Sequence, residues 1–392
     1  MKNVIIYAFL TMTLCLLTGC QSLTTLQDIY SNAEKTTLYL DDEFSGYENT
    51  TIETEAEIFA LSDEMKTMAK RVGLERSARR KATTLLMHFF NPENINLTYQ
   101  TGANVIAADA FQNKEANCLS LTIMAYAIAK EAKLDVAFQR VNIPEYWVRN
   151  GDVNMLSGHI NLAVLEPKAE QTVLLFERSK IEIDFDPFVL KKSFPKRRIN
   201  KRSVLAMFYN NKGANALIKK DYLTAYAYLK SAVSVDPSFS PAWGNLGILY
   251  RFKGHEQSAM DIYRYAIDLN HSNLTAMANL SMLLHVNGAY EEAKQLDSHI
   301  MRKRANNPYY YSLLADEKFH QGAYSAAISH YKKAIKLNNN IHEFYFGLAK
   351  VYYMLEDIAK AESYMRKAIR KNRGAHLNEQ YLAKLSVLEK IN

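Results

Sequence analysis

The sequence predicts an α+β N-terminal domain followed by an all-α solenoid of helical repeats. An apolar helical stretch over residues 118–133 precedes three β-rich segments, which is typical of an α+β domain. In the second half, small residues recur every 34 positions in two separate columns, which indicates stacked helix pairs. With 392 residues, 48% of them hydrophobic, the chain is long enough for both parts to bury a core.

The N-terminus has the pattern of a secretory signal peptide over residues 1–19. Lys2 precedes an apolar run over 4–17, which is too short and too early for a membrane-spanning helix. The tetrapeptide at 17–20, LTGC, resembles the lipobox of bacterial lipoproteins. That resemblance implies cleavage before Cys20 and lipid on Cys20, and Gln21 favours an outer-membrane anchor facing the periplasm. The alternative is an ordinary secretory signal with a cysteine there by chance.

Cysteine usage then leaves one thiol for the mature fold. Cys15 leaves with the signal peptide and Cys20 carries lipid, so Cys118 has no partner for an intrachain disulfide. Residues 20–57 are mostly polar and are predicted to be a lipid-anchored tether and the lead-in to the first domain.

The first domain is predicted over residues 58–188. Apolar residues recur at helical spacing over 61–90, with Ser62 as the N-cap, so one or two helices are expected there. The helix after Cys118 is followed by the strand-like segments DVAFQRVNI, HINLAVL and TVLLFERSKIEIDF.

Repeats are predicted over residues 206–375. The two columns of small residues are Gly213, Gly247, Ser281, Ala315 and Ala349, and Ala225, Ala259, Ala293, Ala327 and Ala361. A period of 34 is that of tetratricopeptide repeats, and the second unit resembles their pattern most fully, with Trp243, Leu246, Gly247 and Tyr250. Five units fit, and residues 376–392 are expected to form a capping helix. Asp297, which stands where the second unit has Tyr263, departs from the pattern.

A basic linker is predicted between the two parts, over residues 189–205. The segment VLKKSFPKRRINKR has seven basic residues and no acid, which is typical of a solvated connection. A patch that faces anionic lipid or an acidic partner is the alternative. The net charge of +7 is otherwise spread along the chain without a nucleic-acid-binding motif, so no nucleic-acid partner is expected.

Cys118 is either a buried packing residue or a nucleophile. Asn117 is a good N-cap, and a cysteine in the first helical turn is favoured as a thiolate. His159 opens a predicted strand, and Asp184 and Asp186 lie on one face of a later strand. A carboxylate there is able to orient the histidine that takes the thiol proton.

This order of cysteine, histidine and aspartate resembles the transglutaminase-like (papain-like cysteine peptidase) superfamily over residues 58–187. The resemblance implies that Cys118 is the nucleophile, His159 the base and Asp184 the third catalytic residue, with Asp186 a weaker choice. Ala116 and Ile160 depart from the family pattern around the cysteine and the histidine. Gln112, Asn113 and Asn117 are candidate donors for an oxyanion hole.

The resemblance implies acyl transfer through a thioester on Cys118, with water (peptidase or amidase) or an amine (transglutaminase) as acceptor. The solenoid is expected to bind a protein or peptide partner. No metal cluster or glycine-rich phosphate loop indicates a cofactor. The rival hypothesis is a non-enzymatic lipoprotein adaptor in which the repeats are the whole function.

Overall fold

The protein was analysed as a computed structural model that describes residues 38–91, 97–100, 102–150, 153–166, 180–185, 194–372 and 375–391. The predicted signal peptide, Cys20 and Asp186 lie outside these residues. Within them, no helix is long and apolar enough to cross a membrane.

The N-terminal domain begins with three capped helices, α1 (Glu55–Ile58), α2 (Asp63–Gly73) and α3 (Ala78–Phe90). Ser62 accepts a hydrogen bond from the backbone N–H of Met65, which confirms it as an N-cap, and Ser77 caps α3 in the same way. The stretch 61–90 therefore contains two helices, because Ser77 starts a new one.

A buried helix forms the centre of this domain. After β1 (Thr98–Tyr99), α4 (Ala107–Asn113) and β2 (Glu115–Ala116), the helix α5 (Cys118–Glu131) runs through the domain with most of its residues buried. A helix that is apolar on nearly all sides needs neighbours all round. It packs against α2 and α4 and against the main sheet.

The main sheet is antiparallel and has four strands in the order β5-β4-β3-β6. They are β3 (Val136–Asn150), β4 (Val153–Leu165), β5 (Lys180–Ile183) and β6 (Lys196–Ile199). The pairing of β3 with β4 is irregular between Val141 and Tyr146. Beyond this irregularity the two strands pair again, from Tyr146 with Ser157 to Asn150 with Val153, and form the outer part of the hairpin.

The prediction of a linker over 189–205 was wrong for its second half, since β6 is an edge strand of the sheet. Phe138 of β3 lies opposite Ile199, and Val141 lies opposite Lys196. Pairing with β3 supplies hydrogen-bond partners for the backbone of β6, while the side chains of Arg197 and Arg198 stay exposed. Asn200 then caps the first helix of the solenoid, which begins five residues before the predicted boundary at 206.

Five helix pairs and a final helix make up the solenoid. The pairs are α6 (Lys201–Ile218) with α7 (Tyr222–Val235), α8 (Ser240–Phe252) with α9 (Glu256–Leu269), α10 (Leu274–Val286) with α11 (Tyr290–Arg304), α12 (Pro308–His320) with α13 (Tyr324–Leu337), and α14 (His342–Met354) with α15 (Ile358–Lys371), followed by α16 (Ala375–Ile391).

Small residues let the two helices of a pair approach closely. A Cβ atom on Gly247 would lie 2.5 Å from the ring of Tyr263. In the third pair, where Asp297 replaces that tyrosine, the Ser281 hydroxyl donates to the Asp297 carboxylate at 2.6 Å. The departure from the repeat pattern is thus matched by a polar contact.

The end of the predicted tether is packed onto the solenoid instead of being free. The ring of Phe44 stacks on Tyr226 at 4.2 Å between centroids, and the Tyr250 hydroxyl donates to the backbone oxygen of Leu38 at 3.0 Å. Phe44 and Leu38 are both buried, so this contact removes their apolar surface from water. The N-terminal domain and the first repeats share one hydrophobic core.

Candidate active site

The thiol of Cys118 lies at the start of α5. The Asn117 side chain accepts from the backbone N–H of Ser120 at 2.9 Å, so it caps the helix and makes Cys118 its first residue. The first N–H groups of a helix have no partner within the helix and are able to stabilise an anion. Cys118 is 8% exposed, and its Sγ lies 3.8 Å from the backbone oxygen of Gly158.

His159 and Asp184 form a buried pair beside this thiol. Both imidazole and carboxylate come from neighbouring strands: β4 carries His159, and Asp184 directly follows β5. The imidazole Nε2 lies 2.8 Å from Oδ1 and 3.0 Å from Oδ2 of the carboxylate. Because Nε2 faces Asp184, Nδ1 is the nitrogen left for the thiol.

The pair raises the basicity of the histidine. Burial by itself lowers the pKa of His159, but the hydrogen bond that its ring donates to Asp184, together with the interaction with Cys118, outweighs burial and raises the pKa to about 10. The ring is therefore charged at neutral pH, when it is best able to stabilise a thiolate on Cys118.

Asn161 is a site residue that the sequence analysis missed. Its Nδ2 donates to Asp184 Oδ2 at 2.8 Å, and the residue is fully buried. It lies two residues after His159 on the same strand, so both side chains are on one face. This alternation of side chains along the strand is the sequence pattern from which Asn161 could have been predicted as a site residue.

The site opens into a cavity of about 580 Å³ between the N-terminal domain and the solenoid. Cys118 and His159 line one wall, while Asn211 and Asn215 of α6 line another. Asn104 joins the two parts, because its Nδ2 donates to the backbone oxygen of Phe208 at 3.1 Å. The first repeat thus forms part of the site.

The structure brings Cys118, His159 and Asp184 together, and their catalytic roles stay predictions. Asn117 lines the cavity, but its side-chain oxygen is used by the helix cap. Gln112 and Asn113 are exposed and do not line the cavity. Among the described residues, no group of three or more His, Cys, Asp or Glu side chains is arranged to hold a metal ion.

Two family descriptions match parts of the solenoid. The family described as "TPR repeat" matches residues 315–355, and the family described as "Tetratricopeptide repeat" matches 240–273 and 342–372. These matches confirm the predicted repeats. The transglutaminase-like domain stays a prediction.

Solved structures that are similar to the chain have low sequence identity to it. One is described as "Functional Characterization of Pseudomonas Aeruginosa pilF", with 18% identity over 49% of this chain and 87% of that one, and a TM-score of 0.31. Another is YrrB, described as "a TPR protein with an unusual peptide-binding site", with 18% identity over 46% of this chain and 92% of that one, and a TM-score of 0.26. No curated protein matches the chain. The solenoid in the second half of the chain contains tetratricopeptide repeats, matched over residues 240–273 and 315–372.

Proposed function

We propose that this chain is a partner-binding protein whose N-terminal domain carries a cysteine-dependent acyl-transfer site. The repeats supply the binding part, because tetratricopeptide repeats generally bind protein or peptide partners. Binding alone would make the chain a non-enzymatic adaptor. The comparisons support this adaptor function better than they support acyl transfer.

The acyl-transfer part of the proposal rests on one observation, which is that the buried His159 ring pairs with Asp184 and lines the same cavity as the Cys118 thiol. A thiol, a charged imidazole and a carboxylate in contact are the components of an activated cysteine nucleophile. A cysteine that served packing alone would need neither the imidazole nor the carboxylate.

In the proposed reaction the Cys118 thiolate attacks the carbonyl carbon of a peptide or protein amide. Backbone N–H groups at the start of α5 stabilise the oxyanion. The C–N bond breaks, His159 gives its proton to the leaving amine, and a thioester remains on Cys118. Water or an amine then gives a proton to His159, attacks the thioester and restores the thiolate.

We also propose that lipid on Cys20 anchors the protein to the outer membrane of a Gram-negative cell, facing the periplasm. The support is the lipobox-like tetrapeptide 17–20 at the end of a signal-like N-terminus.

Alkylation of Cys118 tests the acyl-transfer site. In a Cys15→Ser/Cys20→Ser protein Cys118 is the single thiol, so iodoacetamide modification followed by mass spectrometry reports on it alone. We expect ready modification at about pH 6 and a sharp fall in the rate in His159→Ala, because the charged imidazole stabilises the thiolate that reacts. Slow modification in both proteins that rises only with denaturant would leave the adaptor as the function.

A further inference from the structure

Arg140 is a basic residue that lies in the same cavity as Cys118. It is a half-buried residue of β3 and lines the cavity with Cys118 and His159. Among the residues that the structure describes, no carboxylate forms an ion pair with its guanidinium. A guanidinium that is partly withdrawn from water without a counterion costs free energy.

The position of Arg197 increases the free-energy cost of partly burying the Arg140 guanidinium. Arg197 lies directly opposite it on β6, and burial together with this like charge lowers the pKa of Arg140. The acidic residue on the cavity wall, Glu145, is already paired, since its two oxygens accept from Arg304 at 2.7 and 3.0 Å. Among the described residues that line the cavity, Arg140 is therefore the basic side chain whose charge no described carboxylate neutralises.

The rest of the wall is rich in carboxamides. They come from the N-terminal domain and from α6 of the solenoid. Asn104, Asn117 and Asn211 hydrogen-bond within the protein, and the further carboxamides on the wall include Gln100, Asn142 and Asn215. Side-chain amides have both donors and acceptors, which is what the N–H and C=O groups of an extended peptide require. The volume of the cavity is in the range of ligand pockets, about 300–1,000 Å³.

We propose that the substrate of the Cys118 site is an acidic peptide in extended form, whose carboxylate pairs with Arg140 while the surrounding carboxamides bind its main chain. This inference rests on the proposed acyl-transfer function and names its substrate class. A guanidinium and a carboxylate form two parallel hydrogen bonds, so a bound acid satisfies the charge that the described side chains leave unpaired. Arg140 is then a specificity residue for that acid.

Binding to a Cys118→Ala protein tests the inference without turnover. The probes are two fluorescein-labelled pools of nine-residue peptides, both degenerate in Ala, Ser, Gly and Leu around a central Gln. One pool has Glu two positions to each side of that Gln, and the other has Gln there. We expect fluorescence polarisation to show at least about tenfold tighter binding of the Glu pool.

Arg140→Gln should remove this preference, while Arg197→Gln, which removes the same charge from an exposed position, should keep most of it. Arg140→Lys keeps the charge and should retain only part of the preference, which covers the case in which Arg140→Gln does not fold. Equal binding of the two pools, or equal effects of the Arg140 and Arg197 variants, would overturn the inference.

The outcome for the substrate is separable from the outcome for catalysis. If Cys118 proves unreactive towards iodoacetamide but the Glu pool still needs Arg140, the cavity is an acidic-peptide site of an adaptor and the acyl-transfer function fails alone. If Cys118 is reactive and the two pools bind equally, the acyl-transfer function survives and this inference fails.

Discussion

Nε2 of His159 and Oδ1 of Asp184 lie 2.8 Å apart, and the two side chains are only 1% and 3% exposed. A carboxylate removed from water to this extent needs a positively charged partner or several hydrogen-bond donors. The charged imidazole supplies the partner, and Asn161 supplies one donor. The same charge favours a thiolate on Cys118, so the state of this pair decides whether the site is reactive.

Asp184→Asn should keep the shape of the site and lower its reactivity. Without the carboxylate the pKa of His159 falls, because the strongest contact that raises it is lost. We expect iodoacetamide modification of Cys118 at about pH 6 to slow by roughly tenfold or more, because a less basic imidazole stabilises the thiolate less. Asp109→Asn, an exposed change on α4, is the control. Equal rates in both variants would show that Asp184 does not act on the thiol.

Stability should fall as the pH rises through the pKa of His159. The pKa is raised in the folded protein, from 6.5 to about 10, so the stabilisation is complete below about pH 6.5 and is lost as the pH approaches about 10. Urea titrations across this range should show a decrease in the free energy of unfolding, of the order of a few kcal/mol. His159→Gln should show a much shallower decrease. Parallel curves for the two proteins would contradict the shift.

Gly247→Ala should destabilise the second repeat although alanine favours helices. Its Cβ would lie 2.5 Å from the Tyr263 ring, and relieving this contact should cost about 1–3 kcal/mol. Gly244→Ala in the same helix is the matched control, because its nearest neighbour is 3.8 Å away. That change should be neutral or stabilising by up to about 1 kcal/mol. Urea titrations measure the free energy of unfolding of both variants. Equal changes in the two would mean that the helices are not in contact at Gly247.

Arg304→Ala should loosen the contact between the β3–β4 hairpin and the solenoid. Arg304 makes a two-bond ion pair with Glu145 and lies over the ring of Trp147, 4.9 Å from its centroid. We expect faster hydrogen exchange in the outer hairpin, which corresponds to roughly 1–3 kcal/mol of lost stabilisation. Arg302→Ala removes an exposed arginine of the same helix and should leave the exchange unchanged. Unchanged exchange in Arg304→Ala would show that the hairpin is held by other contacts.

Cys20→Ala should release the protein from the membrane or leave an unprocessed precursor. The reason is that lipid attachment needs the Cys20 sulfur, and several acyl chains hold a protein stably at a bilayer. Membrane fractionation and intact mass measure the two outcomes, with Cys15→Ala as the control. Membrane association and maturation that do not change in Cys20→Ala would refute the anchor.

Local patterns in the sequence were sufficient for much of this structure. The N-cap Asn117 places Cys118 at a helix start, and the 34-residue columns predict the helix pairs, because both depend on residues close together in the chain. His159 was identified as the histidine that opens a predicted strand, alternation placed Asp184 and Asp186 on one face, and the family resemblance favoured Asp184. Asn161, on the same face as His159, was available to the alternation argument and was overlooked.

Long-range packing decided the rest. The sequence alone determined the repeat fold and three candidate residues of the site, since periodicity and capping act over a few residues. Only the tertiary structure paired Lys196–Ile199 with β3, docked Phe44 on Tyr226 and placed α6 beside Cys118. These contacts join segments that are far apart in the chain. Which segments meet depends on the apolar surfaces that remain to be buried once the helices and strands have formed. For the same reason Arg140, one basic residue among many in the sequence, was recognisable as part of the site only from its place in the cavity.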